Sequence, residues 1–315
     1  MQSYPLKFRP IYKQRIWGGS KLTEFFGREL PAGEKIGESW ELADLPDDKS
    51  VITNGSLAGM NIHEAIQKYP KEIMGREKFE GGFPLLIKIL DAEDLLSVQV
   101  HPDEATVKRT GKGDPKTECW YIIKAEPGAV IYKGVKRGVT KEQFSEAIKN
   151  GTVAELLNKI QVHPGECHFL PAGTAHAIGA GLLIAEIQLP SDTTYRVFDW
   201  NRTDEHGRSR QLHIDDALES IHFRAADNVL PITTVGRLVD SRYFIIDKGH
   251  QTKGCERLEE TGQMRVIMII NGGGRFETRG QDDVDFAGGD TILLPSAYEG
   301  VMCLADDTEY LRILA

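Results

Sequence analysis

Short apolar runs separated by turn residues dominate this chain: LLIKIL, LSVQV, CWYIIK, AVIYKGV, ECHFLPA, GLLIAEIQL, TYRVFDW, YFIIDK, RVIMII and DTILLP. Runs of this length, rich in β-branched and aromatic residues, read as strands. Their close recurrence reads as a sandwich or barrel rather than a βαβ array. The 32 glycines and 14 prolines supply the turns between them. Helical periodicity is confined to three places. One is NIHEAIQKYPKEIMG, near 61–75. Another is TKEQFSEAIKNGTVAELLNKI at 140–160, which reads as two short amphipathic helices. The third is DDALESIHF, near 215–223.

An internal repeat sharpens the fold class. PGECHFLPAGTAH (164–176) aligns with GGDTILLPSAYEG (288–300). Gly165 then matches Gly289, Glu166 matches Asp290, Pro171 matches Pro295, and His176 matches Gly300. Upstream, WYIIKAEPGAV (120–130) resembles RVIMIINGGGRF (265–276). The first copy is 21 residues longer between its matched glycines, about the length of the helical segment at 140–160. The expected fold is therefore mainly β: one small barrel unit used twice, with a helical insertion in the first copy and few short helices. The expected division is 1–234 and 235–315. Turn residues recur in any β protein, so a chance match of Gly and Pro is the alternative.

Charge and hydropathy narrow the partners. Thirty-eight basic against 47 acidic residues leave a net charge of −9. That disfavours nucleic acid and anionic membrane surfaces, which select basic proteins. The longest apolar run is as short as Val266–Ile270, far below a membrane span, and MQSYPLKFRPIYKQ has no apolar signal core. The four cysteines (119, 167, 255 and 303) are widely spaced and form no C-x-x-C pair. No disulfide framework is expected, and a reducing cytosol is. Phosphate-binding, nucleophile-elbow and zincin motifs are absent: there is no G-x-x-x-x-G-K-[ST], G-x-S-x-G or H-E-x-x-H.

Four segments can carry chemistry. In LLSVQVHPDE (95–104), strand alternation places Leu96, Val98 and Val100 on one face and Ser97, Gln99 and His101 on the other. A metal would satisfy Gln99 and His101 together; a solvent-facing strand side is the alternative. In KTECWYIIK (116–124), Lys116, Glu118 and Trp120 share a face, and Glu118 is either a ligand or a surface carboxylate. The spacing G-x5-P-x-G-x2-H, made by Gly165, Pro171, Gly173 and His176, describes a strand and a tight turn that aim His176 into a barrel. Together Gln99, His101, Glu118 and His176 suit zinc or another divalent first-row ion, with a position left open for water or substrate. Asp91, Glu93, Asp94 and Asp103, close by in sequence, read as a solvated acidic loop. In GLLIAEIQLPSDTTYRVFDWNR (181–202), Glu186 shares a strand face with Leu182, Ile184 and Gln188, and Arg196 and Arg202 follow. This segment is either a pocket wall or a core strand with a satisfied Glu–Arg pair.

These motifs resemble the type I mannose-6-phosphate isomerases of the cupin superfamily. The matching residues are RIWGG (15–19), GESWELAD (37–44), SVQVHPD (97–103), KTECWY (116–121), PAGTAHAIG (171–179) and YRVFDW (195–200). The chain resembles the short bacterial form. Gln99 stands where the usual cupin pattern has a first histidine. Ala180 stands where that pattern has a final asparagine. The resemblance implies two jelly-roll barrels, the second (about 235–315) degenerate and metal-free. It implies one Zn2+ per chain on Gln99, His101, Glu118 and His176, and a catalytic Arg196. It implies acid–base roles for Lys116 and Glu186, and phosphate contacts at Ser97 and Arg202.

The implied reaction interconverts mannose 6-phosphate and fructose 6-phosphate through a cis-enediol, in a cytoplasmic monomer or small homo-oligomer whose partner is a sugar phosphate, with no nucleic acid and no membrane. The rivals are a different metal-dependent cupin enzyme and a non-catalytic sugar-binding cupin. The first would want a redox metal and more histidines. The second would have no need of Arg196 and Glu186 beside an intact metal set.

Overall fold

A computed structural model describes residues 3–79, 81–203, 207–224, 230–259 and 261–315. Strands dominate it, as the recurring apolar runs predict. The chain forms two compact units. One holds residues 12–38 and 89–232; the other holds the chain up to Ile11, residues 39–88 and residues 233–315. The division expected from the sequence is 1–234 and 235–315. The difference is that residues 39–88, with the helices Ile62–Lys68 and Pro70–Met74, group with the C-terminal segment. Bonds far apart in sequence cause this. Leu6 and Lys7 pair with Leu293 and Ile292, and Ser296 donates its backbone N–H to the Ile73 carbonyl at 2.9 Å. Among the described residues no helix is long and apolar enough to cross a membrane.

In the unit that holds residues 89–232, one sheet runs in the order Tyr195–Phe198, Val98–Val100, His176–Ile178, Val130–Val135, Leu157–Gln161. A second contains Leu182–Gln188, Glu118–Ala125 and Cys167–Leu170 as neighbours. Side-chain alternation gives the first sheet two apolar jobs. Ile131 and Ile178 pack with Trp120, Ile122 and Ile184 of the second sheet. Val98, Val100, Ala177 and Val197 point the other way, into a cluster with Phe144, Ala147 and Ile148 of the helix Lys141–Asn150 and Ala217 of the helix Ile214–Ser220. Both faces are thus covered: Ser97 is buried and Gln99 is half-buried between the valines.

The helix Lys141–Asn150 starts at a capping box between Thr140 and Gln143 and stops at Gly151, whose φ is 72°. The second helix expected before residue 160 does not form. Val153–Leu156 is a single 3-10 turn, and Leu157–Gln161 is a strand on the edge of the sheet, with Leu157 opposite Val135. Once Gly151 ends the helix, the apolar residues after it gain more by extending the sheet than by starting a new helix of one turn.

The repeat extends to hydrogen bonds. Cys167–Leu170 pairs with Glu118–Ala125 as Thr291–Leu294 pairs with Arg265–Asn271. His176–Ile178 pairs with Val130–Val135 as Gly300–Leu304 pairs with Gly273–Glu277. Gly165 donates to the Ile122 carbonyl and Gly289 to the Ile269 carbonyl, both at 2.8 Å, from φ values of 91° and 90° that favour glycine.

One expectation from the cysteines is corrected. Cys255 and Cys303 face each other across the Gly254–Leu258 and Gly300–Leu304 pair, with Cα atoms 4.1 Å apart, and form a disulfide. Their separation of 48 residues conceals a contact that only the strand register reveals. Cys119 and Cys167 are buried free thiols, with sulfurs 3.2 Å apart.

Candidate metal centre

Gln99 is the middle residue of Val98–Val100. Its cross-strand partner on one side is His176 and on the other Arg196. Directly opposed residues share a sheet face, so alternation within one three-residue strand gathers an amide, an imidazole and a guanidinium. His101 follows that strand, and Pro102 ends it. Glu118 opens the strand Glu118–Ala125 of the second sheet, and its register partners are Gln188 and Leu170.

The three donors meet. His101 Nε2 lies 3.3 Å from Glu118 Oε2, and His176 Nε2 lies 3.2 Å from Glu118 Oε1. All three side chains are buried, with their ligand atoms within 4.8 Å of one another. Each imidazole is oriented through its other nitrogen: His101 Nδ1 donates to the Thr193 carbonyl and His176 Nδ1 to the Thr174 carbonyl, both at 2.8 Å. A carbonyl can only accept, so both protons sit on Nδ1 and both Nε2 lone pairs are turned toward Glu118. Gln99 Nε2 lies 3.3 Å from His176 Nε2; a half-turn of the carboxamide presents its oxygen instead.

The electrostatics suit a cation. Burial, with the charge of Lys116, pushes His101 down to about 3, and burial lowers His176 against the pull of Glu118. Both imidazoles are therefore neutral. Burial alone would raise the Glu118 carboxyl. Lys116, His101 and His176 outweigh it and hold the group well below the usual carboxylate range. The set is two neutral nitrogens and one carboxylate anion, the protonation state in which such side chains bind metal. His101 Nε2 and Glu118 Oε1 are buried without hydrogen-bond partners, and Glu118 Oε2 is buried with only the Lys116 ammonium at 3.0 Å as counter-charge. Orphaned buried polar atoms are costly, and these converge. A divalent ion fits the donor set.

The remaining expected residues surround this centre. Lys116 Nζ forms an ion pair with Glu118 Oε2 at 3.0 Å. Glu186 accepts from Trp120 Nε1 at 3.0 Å, and the Trp120 ring meets His176 edge-on at 5.2 Å. Arg196 Nε donates to Ser97 Oγ at 3.3 Å, and its Nη1 donates to the Gln211 carbonyl at 2.9 Å. Arg202 is tied to Asp199, the Leu95 carbonyl and Asp94.

Asp91 departs from the solvated loop expected of it. It is fully buried, accepts the Lys21 backbone N–H at 2.6 Å, and burial raises its carboxyl to about 6. Sequence reasoning also missed Asp199 and Arg210, which form a bidentate pair, and the two carbonyls that orient the histidines. Asp199 stands inside the YRVFDW motif, which gave it a signal. Arg210 follows no periodicity and had none.

The model of phosphomannose isomerase type I, catalytic domain, matches residues 6–117. The mannose-6-phosphate isomerase of Streptococcus mutans is 38% identical over 300 residues, 93% of this chain and 92% of that one. Mannose-6-phosphate isomerase ManA of Bacillus subtilis is 37% identical over 94% of each chain. This chain belongs to the type I phosphomannose isomerase family. The crystal structure of the mannose 6-phosphate isomerase from Bacillus subtilis superimposes on all of both chains with a TM-score of 0.87 at 30% identity. The family's mainly β architecture is the one seen here.

Proposed function

We propose that this protein is a zinc-dependent mannose-6-phosphate isomerase that interconverts mannose 6-phosphate and fructose 6-phosphate through a cis-enediol. The observation that carries the reading is the convergence of the buried His101, Glu118 and His176 donor atoms within 4.8 Å of one another, with Arg196 and His176 flanking Gln99 on the adjacent strands. Gln99, His101, Glu118 and His176 would hold the ion. When bound, zinc supplies Lewis acidity toward the sugar's hydroxyl and carbonyl oxygens without redox chemistry.

The reaction moves one proton between neighbouring carbons. A base removes the proton from carbon 2 while the aldehyde oxygen on carbon 1 gains one. The electron pair of the broken C–H bond becomes the C=C bond of the enediol. A proton then returns to carbon 1 as the hydroxyl on carbon 2 loses its own, which leaves the ketone. Glu186 and Lys116 are the groups assigned to proton transfer, both buried beside the ligand set. Arg196 remains charged and stabilises the oxyanion character that develops on the sugar.

A cytosolic setting accords with the free thiols Cys119 and Cys167, while the Cys255–Cys303 bridge weighs against it. The test of the function is metal analysis of the purified protein coupled to an isomerase assay. Zinc near one per chain, with turnover that chelation abolishes and zinc restores, is the expected result. Iron with no isomerase activity would refute the reading.

A further inference from the structure

We infer that Arg210 is a specificity-determining residue of this site that grips the phosphate of the sugar together with Arg202, and that Asp199 is its positioning residue. The inference rests on the isomerase reading above and extends it to residues with no assigned role.

Asp199 is the hub. It accepts from Arg202 Nη2 at 2.6 Å and from Arg210 Nε at 2.7 Å, and Arg210 Nη2 also reaches its Oδ1. The carboxylate is nearly covered, with 6% of its side chain exposed, while Arg210 keeps 30% and Arg202 18%. The anion is thus hidden and the cations face out. Burial would raise the Asp199 carboxyl, but Arg210 and Arg202 hold it below its usual range, so it remains an anion. Of the five N–H donors on a guanidinium, those on Arg210 Nη1 take no part in the Asp199 contacts.

Charge is left over for a ligand. Arg202 also meets Asp94 at 3.5 Å, so two carboxylates serve three guanidiniums. Among the described residues, the Arg196 side chain donates to two neutral groups, the Ser97 hydroxyl and the Gln211 carbonyl. Burial, and then the charge of Arg210, depress the Arg196 guanidinium below its usual range; Asp199 opposes this, and Arg202 and Arg15 add to it. Arg196, Arg202 and Arg210 therefore lie within electrostatic reach of one another. A dianion among them would relieve that repulsion, and a terminal phosphate is such a group.

The backbone that sets up this cluster is strained. Trp200 and Asn201, with φ of 54° and 56°, are the only non-glycine residues at positive φ among the described residues. They lie between Asp199 and Arg202. Trp200 Nε1 donates to the Leu96 carbonyl at 2.7 Å, and Arg202 Nη1 donates to that of Leu95. The turn is thus pinned to the residues just before Ser97 and Gln99. Two adjacent left-handed residues persist only where surroundings over-determine them, and such strain concentrates at functional sites. Carbon 6 is the far end of the sugar from the reacting carbons 1 and 2. The cluster is joined to the ligand set through Ser97 and the Arg196–Gln99 pair.

The test compares zinc-loaded wild type, Arg210→Gln, Arg210→Lys and Asp199→Asn on mannose 6-phosphate and on free mannose, with inorganic phosphate as a competitive inhibitor. In Arg210→Gln the preference for the phosphorylated sugar should fall about tenfold or more, and the inhibition constant of phosphate should rise in parallel, as for loss of a charge-assisted contact. Arg210→Lys should recover part of both, because it keeps the charge and loses the fork. Asp199→Asn should raise KM for the phosphosugar far more than it lowers kcat. Arg109→Gln, whose guanidinium pairs with the exposed Glu219, should change nothing. An unchanged preference and an unchanged phosphate constant in folded Arg210→Gln would overturn the inference while leaving the isomerase reading intact. If Arg210→Gln fails to fold, an unchanged preference in Arg210→Lys overturns it. Wild type that uses both sugars equally would overturn the phosphosugar substrate and this inference with it.

Discussion

His176 sits directly opposite Gln99 on neighbouring antiparallel strands, and its Nε2 is the point on which the Gln99 carboxamide and the Glu118 carboxylate both close, at 3.3 and 3.2 Å. Replacing His176 with alanine therefore removes a donor that two other groups are built around. His176→Ala and His101→Ala should each lose bound zinc on dialysis and lose turnover. Metal content measured beside activity checks this. Full zinc and full activity in His176→Ala would show that the centre lies elsewhere.

Arg196→Lys should behave as a damaging change. The guanidinium reaches Ser97 with Nε and the Gln211 carbonyl with Nη1, a fork that an ammonium on a flexible stem cannot reproduce. Loss of a positioned donor to a developing oxyanion costs on the order of 100-fold in kcat. Ser97→Ala should cost less, because the Gln211 contact survives. Near-wild-type kinetics for Arg196→Lys would reduce the arginine to a structural part.

Much of this centre was legible because strand alternation is a local rule. It separates Gln99 and His101 from Val98 and Val100 with no knowledge of the rest of the fold. His176 was legible because Gly165, Pro171 and Gly173 encode the turn that delivers it. Glu118 became a ligand candidate only as one of several polar residues, since the pairing that buries it depends on strands far away in sequence. Asp91 was misread because its neighbours Glu93 and Asp94 look solvated, while its partner Lys21 is 70 residues distant. The left-handed pair Trp200–Asn201 has no glycine to announce it, which hid Asp199 and Arg210 as well.

Asp91 should make stability pH-dependent in an unusual direction. Burial raises its carboxyl from 3.8 to about 6 in the folded chain. Between those values the folded protein holds a proton that the unfolded chain has released. The contribution is therefore fully present below pH 4 and is lost as pH rises through 6. Each pH unit between the two values is worth about 1.4 kcal/mol, so the whole contribution is roughly 3 kcal/mol at most. Urea unfolding of wild type and Asp91→Asn across pH 4 to 7.5 isolates it. The stability of wild type relative to the variant should decline over that interval; a constant difference would mean that Asp91 titrates normally.

Gly300 is the counterpart of His176, and its surroundings explain why the two copies diverged. The same turn precedes both: Thr174 donates to the Pro171 carbonyl at 3.1 Å, and Tyr298 donates to the Pro295 carbonyl at 2.9 Å. In the first copy the position-174 carbonyl orients a histidine. In the second, Tyr298 is fully buried, and its hydroxyl would overlap a Cβ on Gly300, with the Glu277 carbonyl at 2.6 Å from that Cβ. One of those neighbours is backbone and cannot swing away. Gly300→Ala should thus destabilise the protein by about 1–3 kcal/mol, as for an overpacked site. Gly300→His should be at least as damaging and should add no metal, because the tyrosine ring occupies the space that a second centre needs. Thermal unfolding and zinc content of the two variants decide the matter. A stable Gly300→His protein with a second tightly held zinc would show that the copy lost only its ligand and kept the cavity.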